Sequence, residues 1–111
     1  MDLGLEALSK TVIWSKYAKY LPELQRRETW DEIVDRYEGM LCRKYPSLSS
    51  QIKDNVVFIR QKKVLPSMRA LQFAGKAIEV NNARAYNCCF LHIDSYHAFS
   101  ETMFLLLGGT G

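Results

Sequence analysis

Cys88 and Cys89 are adjacent, and they are the residues of this chain whose chemistry invites the closest reading. On an extended segment, neighbouring side chains point to opposite faces, so only one of the two thiols can face a given pocket. Two readings follow. Both can be small buried hydrophobes, since free cysteine is among the most buried residue types. Alternatively, one thiol lies on a strand in an active site and exchanges electrons with a distant thiol, which requires a thiolate, a reachable second sulfur and access for a reductant. Cys42, the third cysteine, falls on an amphipathic helix and reads as packing. His92 and His97 extend the pattern to C-C-x-x-H-x-x-x-x-H, which matches no standard zinc spacing, and no metal site is expected. Gly108-Gly109-Thr110-Gly111 follows an apolar helix, whereas phosphate cradles precede one, so the run reads as a helix stop.

The elements that must position these residues follow from periodicity. Tyr86 to Ile93 (YNCCFLHI) is short, apolar and aromatic, which predicts a buried strand. Asp94 or Ser95 then caps a helix whose apolar face is Phe99, Met103, Leu106 and Leu107. Asn81-Asn82 marks a turn, and Pro66 to Gly75 fits neither the helical nor the strand period. The first half reads helical. Val12, Ile13, Tyr17, Tyr20 and Leu21 sit near helical spacing until Pro22. Thr29-Trp30-Asp31-Glu32 is a capping box that opens a helix carrying Trp30, Ile33, Val34, Tyr37 and Leu41 on one face and ending before Pro46. Another helix starts among Ser47, Ser49 and Ser50, buries Ile52, Val56 and Ile59, and ends in the basic cluster Arg60, Lys62 and Lys63, a solvated helix end. The expected fold is α+β: a helical N-terminal region over residues 1–64, then the opening strand and helix of an α/β unit over residues 65–111. A lone strand needs sheet partners, so the sequence reads as part of a larger structure.

Composition bounds the rest. The 111 residues form one small domain or a piece of something larger, too short for a complete multidomain enzyme. With 48% hydrophobic residues general disorder is excluded, and a net charge of +3 lacks the concentrated basic stripe of a nucleic-acid binder. No apolar run is long enough to span a bilayer, and the start Met1-Asp2-Leu3-Gly4-Leu5-Glu6 lacks the order of a signal peptide. Three cysteines, two of them adjacent, suit a reducing cytosol, so a cytoplasmic location is expected.

Several C-terminal segments together resemble a known family. Leu65-Pro66-Ser67-Met68-Arg69-Ala70-Leu71, Gly75, Tyr86-Asn87-Cys88, Asp94, Ala98-Phe99 and Gly109-Thr110-Gly111 occur in that order. They resemble the start of the catalytic barrel in adenosylcobalamin-dependent (class II) ribonucleotide reductases. Tyr20-Leu21-Pro22-Glu23 and Arg26-Arg27-Glu28-Thr29-Trp30 resemble the helical N-terminal region of the monomeric, triphosphate-using branch. The resemblance implies that residues 65–111 begin a ten-stranded α/β barrel. It implies that Cys88 is one thiol of a redox pair, delivering a reducing equivalent at the ribose 2′ carbon and pairing with a cysteine far downstream. Asn87 would line the substrate ribose, and Ser67 the approach to the phosphates, with Leu65 replacing a threonine seen in many relatives. Gly109, Thr110 and Gly111 would border the substrate pocket, and Asp94 and Ser95 would start the effector-binding region. Cys89 is left as packing. The partners implied are a ribonucleoside triphosphate, a deoxynucleotide effector, a thioredoxin-like reductant, adenosylcobalamin and the remaining reductase polypeptide, without which no activity is expected. Neither membrane nor direct DNA binding is implied. Two alternatives stay open: a small helical interaction module without catalysis, and an N-terminal piece of the large subunit of the di-iron (class I) reductases.

Overall fold

A computed structural model describes residues 3–111; Met1 and Asp2, the first residues of the start that lacks the order of a signal peptide, lie outside the described residues. The chain is a small α+β fold. Helix α1 (Leu3–Val12) runs into a wide π turn over Ile13–Tyr17, closed by the Ala18 amide donating to the Ile13 carbonyl at 3.0 Å. A two-residue antiparallel hairpin follows, β1 (Tyr20–Leu21) against β2 (Arg26–Arg27), with Tyr20 opposite Arg27 and Leu21 opposite Arg26. Then come α2 (Trp30–Lys44), α3 (Ser49–Arg60), the short α4 (Met68–Phe73) and α5 (Lys76–Val80), and finally α6 (His97–Leu107). Among the described residues the hairpin is the only sheet, and no helix is long and apolar enough to cross a membrane.

The capping box forms as the sequence requires. The Glu32 amide donates to Thr29 Oγ1 at 3.4 Å, and the Thr29 amide donates to Glu32 Oε2 at 2.7 Å. From this start α2 serves three apolar clusters. Ile33 packs with Ala18 and Leu71, Val34 with Val56 and Ile59 of α3, and Met40 with Ala74 and Ile78. Trp30 bridges the first two clusters and donates its indole N–H to the Arg60 carbonyl at 3.0 Å. Arg60, the first residue of the basic cluster, reaches back to Asp35 at 2.6 Å and Asp31 at 3.1 Å, which fixes the α2–α3 corner.

A buried ion pair holds the hairpin and α4 to α2. Glu28 is 8% exposed and takes a bidentate pair from Arg36, both contacts 2.9 Å. Its Oε2 also accepts the Lys19 amide at 3.0 Å. Arg36 Nη1 and Lys19 Nζ both donate to the Ala74 carbonyl, at 2.9 and 3.0 Å. Burial, and then the neighbouring Arg36 charge, hold the Lys19 ammonium below its ordinary pKa, while Glu28 pulls it back up.

Four expectations change. Tyr86 to Ile93 is not a strand, because its only ladder partner among the described residues is Gly111. The N-terminal helical path closes at Tyr17 instead of running to Leu21, since Glu28 takes the Lys19 amide and Arg27 Nη1 takes the Ala18 carbonyl at 2.8 Å. Neither Asp94 nor Ser95 caps α6; the helix begins after Tyr96 with no side-chain cap. The face Phe99, Met103, Leu106 and Leu107 is exposed, and only Ala98 of α6 is buried. The ambiguous stretch Pro66 to Gly75 resolves into α4 and a turn at Gly75, whose φ of 91° suits glycine.

Two stability predictions follow from the ion pairs. Glu28→Gln leaves Arg36 buried without its counter-charge and should cost about 3–5 kcal/mol in urea unfolding, the range for breaking one partner of a buried pair. The Arg26 side chain and the Thr29 amide hold the Glu32 carboxyl at about 2, below its ordinary 4.5. A carboxyl with a lowered folded pKa stabilises above its unfolded pKa and loses that contribution as pH falls through the folded one. The stability gap between wild type and Glu32→Gln should therefore be full above pH 4.5 and close toward pH 2, read from urea midpoints.

Candidate functional site

Helix α4 carries the anchor of the site. Leu71 and Ala74 bury one side of it against α2, and Arg69 projects from its first turn. Arg69 Nε donates to Asn87 Oδ1 at 2.8 Å, and its Nη2 donates to the Gly109 carbonyl at 3.0 Å. The Phe73 ring, one helical turn on, lies 5.4 Å from the guanidinium carbon.

Gly109 ends α6 in a Schellman closure. Its φ is 87°, its amide donates to the Leu106 carbonyl at 2.9 Å, and the Thr110 amide donates to the Leu105 carbonyl at 2.9 Å. Thr110 is 1% exposed. Its hydroxyl donates to the Ala83 carbonyl at 3.1 Å, with the Tyr86 carbonyl at 3.4 Å. The Gly111 amide donates to the Asn87 carbonyl, and the Cys89 amide donates to the Gly111 carbonyl, both at 3.0 Å. A short ladder therefore joins residues 87–89 to the glycine turn. The turn's glycines do stop the helix, and they also supply the partner of the cysteine segment.

Of the residues singled out in the sequence, Asn87, Cys88, Gly109, Thr110 and Gly111 come together here. Cys88 sits between the two ladder residues and is exposed. Cys89 is exposed as well, and it borders an apolar depression with Phe90, Ile93, Leu105 and Leu106 on the α6 side. Neither thiol is the buried hydrophobe of the first reading; Cys42 is half-buried on α2. Ser67 lies two positions before Arg69; its carbonyl accepts the Leu71 amide, and its side chain is outside the ladder. Asp94 and Ser95 do not join the cluster. They precede α6 and are exposed, separated from Gly109 by a helix roughly 16 Å long at 1.5 Å per residue. Among the described residues no three His, Cys, Asp or Glu gather as a metal-ligand set. His92 instead tilts against Phe90, with ring centroids 6.1 Å apart.

Arg69 is the residue that sequence reasoning passed over. It stood inside the quoted segment Leu65–Leu71 with no role attached, because its partners lie 18 and 40 positions away. Adenosylcobalamin is implied by the resemblance alone, which assigns it mainly to downstream polypeptide; the apolar groove under α1, lined by Leu5, Leu8, Val12, Leu65 and Met68 with Lys62 and Trp30 at its edge, does not include Cys88. The chemistry that these residues can perform rests with the exposed thiols and the polar cluster around them. No protein-family model matches the chain, and no curated protein or solved structure is significantly similar to it.

Thr110→Val keeps the shape of the side chain and removes its hydroxyl, so the Ala83 carbonyl loses one of its two donors and keeps the Tyr86 amide. The substitution should cost about 0.5–1.5 kcal/mol, the net worth of one hydrogen bond, measured by urea unfolding.

Proposed function

We propose that the chain is the N-terminal part of a ribonucleoside-triphosphate reductase of the adenosylcobalamin-dependent kind, making deoxyribonucleotides for DNA synthesis. One observation carries the reading. Asn87, which the resemblance assigns to the ribose, and Cys89 are hydrogen-bonded to Gly111, and Cys88, which it assigns to the reduction, lies between them, so the segment meets the glycine turn that the resemblance assigns to the rim of the same pocket. Cys88 then acts as one member of a dithiol. Reduction at the ribose 2′ carbon takes two electrons and releases the hydroxyl as water. The Cys88 sulfur and a second cysteine, supplied by polypeptide beyond this chain, become a disulfide, and a thioredoxin-like dithiol restores them by exchange. Adenosylcobalamin supplies radical initiation in such enzymes, and residues outside this chain would hold it.

The exposed apolar side chains support assembly into something larger. Phe90 is 87% exposed, Leu107 81% and Tyr96 93%, a surface that water does not favour and that a barrel of ten strands would cover. In that assembly residues 86–93 become the first strand and α6 the first helix, with Ser67 toward the substrate phosphates and Asp94 and Ser95 toward a deoxynucleotide effector. The same exposed face favours a second reading, an interaction module without catalysis.

Co-expression with the remaining reductase polypeptide separates the two. In the cobalamin-loaded assembly, Cys88→Ser should abolish deoxynucleotide formation driven by a thioredoxin-like reductant, whereas Cys89→Ser should retain most of it. A soluble, loaded assembly that is inactive, or one indifferent to Cys88→Ser, sinks the reductase reading.

A further inference from the structure

Asn87 and Cys88 are exposed and lie outside the apolar depression that Cys89 and Phe90 border, so polar contacts hold the path at these two residues. Those contacts divide the work. The Thr110 hydroxyl reaches the carbonyls of Ala83 and Tyr86, upstream of the cysteines, and the two ladder bonds run to Gly111. Among the described residues only Arg69 is hydrogen-bonded to the side chain of Asn87, and the same guanidinium also reaches Gly109, across the ladder.

We propose that Arg69 is a positioning residue, whose guanidinium fixes the Asn87–Cys88 segment in register with the glycine turn and so presents the Cys88 thiol in one place. The proposal rests on the reductase reading only in naming Cys88 as the working thiol. Three features suit Arg69 to this role. It stands on α4, which Leu71 and Ala74 seat in the core, so the donor is on a fixed element. Its planar fork meets two acceptors through two different nitrogens, a geometry that a lysine ammonium on its flexible stem does not reproduce. Phe73 lies against the guanidinium and limits its rotation. Gly109 completes the fit: a Cβ there would sit 3.5 Å from Arg69 Nη1, on a backbone of φ 87° that other residues rarely adopt.

Amide hydrogen exchange on the full chain tests this, with the α2 amides of Ile33 and Val34 as internal controls. Arg69→Ala should speed exchange at the Cys89 and Gly111 amides by roughly tenfold or more, as loss of charge-assisted bonds implies, and leave the α2 amides unchanged. Arg69→Lys should fail to restore protection. The Arg69 Nε–H signal in an NMR spectrum should be protected in wild type and lost in Asn87→Ala, a signature that general support of α4 would not produce. If Arg69→Ala unfolds the chain, Asn87→Ala decides, because it leaves α4 intact and should deprotect the same two amides. Unchanged exchange at Cys89 and Gly111 overturns the proposal, as does equal deprotection of α2 in a folded variant. These readouts need no turnover, so failure of the Cys88→Ser experiment would leave the positioning result standing, and the reverse also holds.

Discussion

The Glu28–Arg36 pair is the constraint on which the other parts of the molecule depend. A carboxylate this far from water is tolerable only with its charge matched and its lone pairs filled, and Arg36 and the Lys19 amide do both. Meeting those demands fixes the hairpin, because Lys19 precedes β1 and Glu28 follows β2. It also fixes α4, because Arg36 and Lys19 each spend a donor on the Ala74 carbonyl at the end of that helix. A two-residue hairpin would not hold in water by itself. Here it persists as the two ends of a polar network centred on α2.

Helix α4 links that network to the cysteine segment. Its C-terminal carbonyl at Ala74 belongs to the buried cluster, and Arg69 in its first turn belongs to the site. Any shift of α4 along α2 would therefore move Arg69 relative to Asn87 and Gly109. The six residues of α4 thus join the core on one side to the cysteine segment on the other.

The distribution of apolar surface separates the surroundings of α2 from those of α6. Around α2, side chains such as Ile33, Val34 and Ala74 are wholly out of water. Around α6, Phe99, Met103, Phe104, Leu106 and Leu107 remain in it. Burial of such side chains is the main favourable term in folding, so the second arrangement has stabilisation still to gain from contact with other surfaces. The proposed barrel is one way to realise that gain.

Features that depend on neighbours a few residues apart were legible in the amino-acid order. The Thr29–Glu32 box, the apolar face of α2, the Ile52, Val56 and Ile59 face of α3 and the glycine stop of α6 all arise from contacts within one or two helical turns. The state of residues 86–93 was not legible, because strand formation is a property of a pair of segments and the apolar run names only one of them. The same holds for the hairpin, whose Arg-rich second strand carries no β signal and is held by Glu28. Sequence alone thus determined α2, α3 and the end of α6, and which residues have reactive side chains. Tertiary structure decided which of these meet: Arg69 with Asn87 and Gly109, Glu28 with Arg36 and, through it, Ala74. Pairings across many positions leave no local periodicity, and only the packing of α4 against α2 brings those partners within hydrogen-bonding distance.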